Sequence, residues 1–260
     1  MTRRIKYKVA PGFEHLADWI RNLPEYFPVN GESIFKSRNE VKIFTVGEFQ
    51  LNVKAFRIPN WINRFVYIYL RNSKAERSYN YARKLESLDI PTPKAVGYLE
   101  CLSGGLLENS YYISLHFQHD FTLREVLNYE VPERDEILRQ WTRLTYQKLH
   151  LNNIYHLDYS PGNTLIKKTE NTYEFSIIDL NRMSFRKINF IKGLRNFRQL
   201  DTDNQTLQLL ASEYAKLRGE DGLKAQKILI RYDKKNKLSR QRRGSLKKAI
   251  RSFFKSGLAV

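Results

Sequence analysis

Between Tyr155 and Asp179 the chain places three polar side chains in an order that few folds accommodate. Tyr155-His156-Leu157-Asp158-Tyr159-Ser160-Pro161-Gly162-Asn163 reads H-x-D-x-x-x-x-N, and the apolar run Phe175-Ser176-Ile177-Ile178 ends in Asp179. Pro161-Gly162 marks a loop, so Asp158 and Asn163 belong to one non-helical segment. Leu165-Ile166 and Phe175 to Ile178 predict two short strands around a polar turn, 168–173. An isolated H-x-D is usually a turn whose Asp satisfies nearby backbone groups. Here a helix, a loop, a strand, a turn and a second strand ending in Asp follow in sequence, and that order outweighs the simpler reading.

This order resembles the phosphoryl-transfer core of the protein-kinase-like fold. The resemblance implies an α+β, two-lobed molecule. An N-lobe of antiparallel sheet with one long helix would precede a mainly helical C-lobe. It assigns Asp158 to accept the proton of an attacking hydroxyl, and Asn163 and Asp179 to hold Mg²⁺ beside ATP. Such a fold also needs a lysine upstream on a strand. Phe49 to Phe56 reads F-Q-L-N-V-K-A-F and carries Lys54, with strand candidates at 33–37 and 40–46 before it. Lys54 is expected on the third strand, binding α- and β-phosphates as a point charge. A helix over 73–88 follows, with Ser73 as N-cap and Ala75, Tyr79, Ala82 and Leu85 as its apolar stripe. Glu76 is its candidate partner for Lys54, with Glu86 as the alternative. Strands at 94–101 and 111–117 lead to a hinge at His116 to Gln118, and a helix over 133–151 delivers the chain to the loop.

Ser37-Arg38-Asn39-Glu40-Val41-Lys42, Ser73-Lys74-Ala75-Glu76-Arg77-Ser78-Tyr79, the Tyr155 to Asn163 loop and Ile178-Asp179-Leu180-Asn181-Arg182-Met183 together resemble the lipopolysaccharide core kinases, the Kdo and heptose kinases of Gram-negative bacteria. The likeness is closest to the compact Kdo-kinase-like members of the Bacteroidetes. It implies ATP-dependent phosphorylation of an inner-core sugar, Kdo ahead of heptose, on a lipid A-linked saccharide. It also implies work at the cytoplasmic face of the inner membrane.

The departures from protein kinases are as informative. No G-x-G-x-x-G precedes Lys54; Ser37, Arg38 and Asn39 stand where that loop should be and are the expected phosphate-facing segment. Ser160 replaces the loop lysine of Ser/Thr kinases. Asp179 is followed by Leu180-Asn181 in place of Phe-Gly, and no A-P-E follows. With no full activation segment, a peptide platform is not expected, which favours a small or lipid-linked hydroxyl acceptor. Arg182 is a candidate contact for acceptor phosphate or carboxylate, or a structural ion pair.

Composition bounds the rest. At 260 residues the chain can bury two cores, and its single cysteine excludes an intrachain disulfide. The organisation expected is an N-lobe over 1–120, a C-lobe over 121–230 and a basic tail over 231–260. The net charge of +18 is concentrated in that tail. Leu246, Ala249, Ile250, Phe253 and Phe254 share one helical face, Ser245 is the expected cap, and an anionic membrane surface is the expected partner. The Trp61 segment, 58–71, has the composition of a second interfacial anchor. No recognisable nucleic-acid module is present, which argues against an RNA-binding accessory role. Intact Lys54, Asp158, Asn163 and Asp179 argue against an inactive scaffold. The sequence sets no oligomeric state.

Overall fold

The computed structural model describes residues 3–56, 72–170 and 172–256, with backbone alone for residue 3 and for 246–256. The Trp61 segment lies outside the described residues. The chain forms two compact units, one of 1–120 with 164–183, the other of 121–163 with 184–260.

The first unit begins with β1 (Arg3–Val9) and α1 (Ala17–Val29), neither of which was expected from the sequence. β2 (Glu32–Lys36), β3 (Glu40–Val46), β4 (Phe49–Phe56), β5 (Ala95–Ser103) and β6 (Leu106–Leu115) complete an antiparallel sheet in the order β1-β5-β6-β4-β3-β2. Lys54 therefore sits on the fourth strand of the chain, not the third. It pairs with Tyr112 of β6 on one side and Val41 of β3 on the other. Along β4, Leu51 and Val53 point to the core face, while Lys54 and Phe56 share the opposite face through the period of two. β1 is an edge strand studded with lysine and arginine, a composition that discourages edge-to-edge pairing with another chain.

α2 (Lys74–Ser87) starts where expected: the Ser73 hydroxyl accepts a 3.1 Å hydrogen bond from the Glu76 amide. Ala75, Tyr79, Ala82 and Leu85 are its buried stripe. α2 packs on β5 and on the turn 180–182, which joins it to the strand pair that ends the first unit. Of that pair, β9 (Thr164–Lys168) lies antiparallel to β10 (Tyr173–Ile177), with Phe175 opposite Ile166. The Ile177 amide donates to the Pro91 carbonyl at 3.0 Å and the Thr92 hydroxyl to the Ile177 carbonyl at 2.8 Å. These two bonds fix the end of β10, and hence Asp179, to the loop after α2.

The second unit is mainly helical. After the two-residue β7 (Phe121–Thr122) come α3 (Leu123–Asn128) and α4 (Arg134–Leu144), which buries Ile137, Leu138 and Trp141. The expected single helix to residue 151 is interrupted. Residues Thr145–His150 form a wider π-helical turn, with the Thr142 and Thr145 hydroxyls bonded to carbonyls four residues back. β8 (Ile154–His156) leads to the loop, and β11 (Met183–Phe185) follows Asp179. α5 (Phe190–Asn196), α6 (Asn204–Arg218) and α7 (Gly222–Ser256) close the chain. Trp141 stacks on Tyr159 at 5.1 Å and meets Phe197 edge-on, which makes the unit's core aromatic.

The boundary set at residue 230 falls inside α7. Asp233 is buried and paired with Lys237, whose ammonium also donates to the Thr202 carbonyl. The Asn236 amide donates to the Arg198 carbonyl, and Arg240 pairs with Asp201. Ser245 is not an N-cap, because the helix runs through it and its hydroxyl donates to the Gln241 carbonyl.

Candidate active site

In the first unit, Lys54 Nζ contacts Asp179 Oδ1 at 2.6 Å, bridging 125 positions of sequence. Both side chains are partly exposed, at 19% and 25%. The Asn181 amide, itself buried, donates to the same carboxylate oxygen at 2.6 Å. Asp179 holds a left-handed backbone, φ 59°, a conformation that Asp tolerates better than most residues. Asn181 was visible in the sequence only as a departure from Phe-Gly. Its role is to orient the carboxylate that precedes it.

Glu76 does not reach Lys54. It pairs with Lys6 of β1 at 2.9 Å, and Lys6 also lies 3.4 Å from Glu100 of β5. Burial works against the Lys6 ammonium, but Glu76 and Glu100 outweigh it and hold its pKa well above the usual lysine range. This is a physical reason for the correction: Glu76 serves as a strut between sheet and helix, and Lys54 turns instead to Asp179. Glu86 is committed too, to Arg83 and to the Ala95 amide.

The Ser37, Arg38 and Asn39 segment is the turn between β2 and β3. The Ser37 amide donates to the Asn39 carbonyl at 3.0 Å, so that amide closes the turn and does not face outward to a phosphate. Arg38 is exposed. At the expected hinge, the His116 amide donates to the Gln50 carbonyl at 2.7 Å, which removes it as an adenine donor.

In the second unit, the loop is held from beneath by a chain of buried polar groups. The Asp158 amide donates to His156 Nδ1 at 3.2 Å, and the His156 ring leans on Tyr159. The Asn196 side chain donates to the His156 carbonyl at 2.9 Å. Asn196 Oδ1 therefore accepts from His150 Nε2, 3.1 Å away, and His150 Nδ1 accepts from the Tyr214 hydroxyl at 2.9 Å. Burial pushes His150 down to about 4, so the ring is neutral as this tautomer requires. The Thr145 and Tyr159 hydroxyls meet at 2.8 Å, tying the π-helical turn to the residue after Asp158. Asn163 Nδ2 donates to the Asp158 carbonyl at 2.8 Å, which leaves the amide oxygen as the ligand Asn163 presents. The Arg124 guanidinium lies against Gly162, where a Cβ would come within 2.9 Å of it.

Sequence reasoning missed Lys6, His150 and Asn196, because each acts through a partner far away in the chain. Among the described residues, no cluster of three or more His, Cys, Asp or Glu could cage a metal ion. Asp179 in the first unit and Asn163 in the second each present an oxygen of the kind that Mg²⁺ takes.

An antiparallel sheet that places a lysine on a strand-end aspartate, with a helical unit that carries H-x-D-x-x-x-x-N on a braced loop, defines a kinase-like phosphotransferase fold. A model of the Lipopolysaccharide kinase (Kdo/WaaP) family matches residues 57–219, more than half of the chain. The chain belongs to that family, and with it to the ATP-using kinases of lipopolysaccharide biosynthesis. The match begins after Lys54, so the strand that carries this lysine is outside it, while β5 and β6 of the same sheet are inside. No curated protein sequence matches the chain. Among solved structures, WaaP in complex with acyl carrier protein is similar with a TM-score of 0.59, at 16% identity over 88% of this chain and 98% of that one. The Rio2 kinase-ADP/Mg²⁺-phosphoaspartate complex from Chaetomium thermophilum is similar with a TM-score of 0.47, at 15% identity over 95% of this chain and 78% of that one.

Proposed function

We propose that this lipopolysaccharide kinase transfers the γ-phosphoryl group of ATP to a hydroxyl of an inner-core sugar, Kdo ahead of heptose, on a lipid A-linked acceptor. The observation that carries the reading is the 2.6 Å Lys54–Asp179 pair. The pair brings together, from positions 125 apart in sequence, the lysine that the kinase reading assigns to the phosphates and the aspartate it assigns to the metal beside them. Lys54 neutralises phosphate charge. Asp158 takes the proton of the attacking hydroxyl, and its backbone is fixed by His156. Asp179 and Asn163 would hold Mg²⁺, which neutralises charge on the phosphates when bound.

Two features support an anionic, membrane-anchored acceptor. Arg124 lies against Gly162, in the loop that carries Asp158, and suits a carboxylate or phosphate on the sugar. Arg231, Lys234, Lys235, Arg242 and Arg243 are exposed along α7 and suit the anionic lipid at the cytoplasmic face of an inner membrane. Mass spectrometry of core lipopolysaccharide from a strain lacking the gene tests the reading. Loss of one phosphate from an inner-core sugar is expected, restored by the wild-type gene and not by Asp158→Ala. An unchanged core overturns the acceptor assignment.

A further inference from the structure

Lys54 has a companion. Lys74, the first residue of α2, holds its ammonium 5.9 Å from the centroid of the Phe56 ring, the ring that Lys54 covers at 5.5 Å. Phe56 and Lys54 share one face of β4, so α2 begins over the strand end that carries the expected phosphate lysine. Lys74 is half-buried there. Burial weakens its hold on a proton, Arg38 and Arg77 weaken it further, and Asp179 and Lys54 act on it in opposite directions. Glu40 of β3 pairs with Ala55, so the turn that carries Arg38 sits at the same end of β4 as Lys54 and Phe56, and Lys74 feels Arg38, Arg77, Lys54 and the Asp179 carboxylate there.

That carboxylate is already engaged by Lys54 and by Asn181. Arg77 is turned inward, with its Nε donating to the Ser73 carbonyl. Lys74 and Arg38 bring two further positive charges to that end of β4. Gathering like charges costs stability and is tolerated where an anion is to be received. The β2–β3 turn explains the need. It has no glycine, and its Ser37 amide is spent on the Asn39 carbonyl. Without glycine, and with that amide engaged, it offers phosphate a poorer backbone cradle than a glycine-rich loop does.

We infer that Lys74, together with Arg38, binds the terminal phosphates of the nucleotide in place of a glycine-rich loop, beside Lys54. The inference rests on the kinase reading and names the residues through which this chain meets its nucleotide. A structural role for Lys74 would lie in its stem, which packs toward Phe56; Lys74→Met keeps that stem and removes the charge.

Isothermal calorimetry with Mg·ADP and with adenosine tests it on wild type, Lys74→Met, Lys74→Arg and Arg38→Met. Lys74→Met should weaken Mg·ADP binding by roughly tenfold or more and leave adenosine binding unchanged. Lys74→Arg should recover most of the loss, and Arg38→Met should weaken Mg·ADP binding in the same direction. Wild-type Mg·ADP affinity in Lys74→Met overturns the role of Lys74 while the kinase reading stands. Equal weakening for Mg·ADP and adenosine marks a packing defect and also overturns it. A wild-type protein that binds neither ligand overturns the kinase reading and the inference with it.

Discussion

His150 touches no reacting group, yet it couples the Asp158 loop to pH. Its folded pKa of about 4 lies below the ordinary value of 6.5, so the unfolded chain takes up a proton that the folded chain refuses. The stability this supplies is complete above pH 6.5 and is lost as pH falls toward 4. Its full size is about 3 kcal/mol. Asp203 acts lower: burial alone would raise it, but hydrogen bonds from Thr206 and neighbours hold it at about 2, so its contribution fades only below pH 3.8. Urea unfolding of wild type and His150→Gln between pH 7 and 4 should show a drop in the former that is largely absent from the latter. Parallel profiles would remove His150 as the cause. Lys54 and Glu76 make a second contrast. Lys54→Met should lower turnover by roughly 10²-fold, since it removes charge from the phosphate side. Glu76→Gln should cost stability through the Lys6 strut and leave turnover near wild type. A turnover loss in Glu76→Gln as large as that in Lys54→Met would restore Glu76 to the site. Lys54 and Asp179 could each be picked out because both sit near strand ends defined by apolar runs, but their direct contact was not legible, and the sequence pointed Lys54 to Glu76 instead. The partner of Glu76 was not legible, because β1 reads as a charged terminus.

Elements were legible where one period dominates. α2 announced itself through Ser73, its stripe and the prolines at 91 and 93, and its observed limits differ from expectation by about a residue. Ser73→Ala should therefore cost about 1 kcal/mol in a thermal or denaturant melt. It should also shift Lys74, the residue next to the cap, and so weaken Mg·ADP more than adenosine. No change in either would mean that packing alone fixes the helix start. α1 was hidden by Pro24 and Pro28, residues that ordinarily end a helix, yet Ile20, Leu23 and Phe27 hold it on the sheet by burial. β1 was hidden by its charge: Ile5, Tyr7 and Val9 alternate with Lys6 and Lys8, but the run is short and reads first as a basic terminus. The π-helical turn at Thr145–His150 has no period of its own. Threonine hydroxyls competing for helix carbonyls are the only local trace of it, and the structure uses them to aim Tyr159. The irregular pieces nearest the loop are thus the ones sequence periodicity cannot see, since their cause is a tertiary partner.

At the scale of the molecule, charge is divided along α7 by what each residue is bonded to. Lys237 and Arg240 face acidic or carbonyl partners and belong to the second unit, Lys237 with the buried Asp233 and Arg240 with Asp201. Arg231, Lys234, Lys235, Arg242 and Arg243 are exposed. The sequence pattern alone merged both groups into one tail, so a deletion beginning at residue 231 would remove helix that the second unit needs. The membrane reading is better tested by charge reversal at exposed positions. Lys234→Glu, Lys235→Glu, Arg242→Glu and Arg243→Glu combined should leave the melting profile close to wild type, because none of these side chains is buried. Binding to vesicles of anionic phospholipid should fall sharply, since each basic residue near such a surface is worth about 1 kcal/mol. The wild-type interaction should itself weaken as salt shortens the Debye length from about 10 Å at 0.1 M to about 3 Å at 1 M. Co-sedimentation with anionic and neutral vesicles, at both salt concentrations, supplies the measurement. Equal binding of wild type and the reversed variant at low salt would mean that the exposed basic face of α7 is not the membrane contact, and attraction to lipid would have to come from elsewhere in the chain.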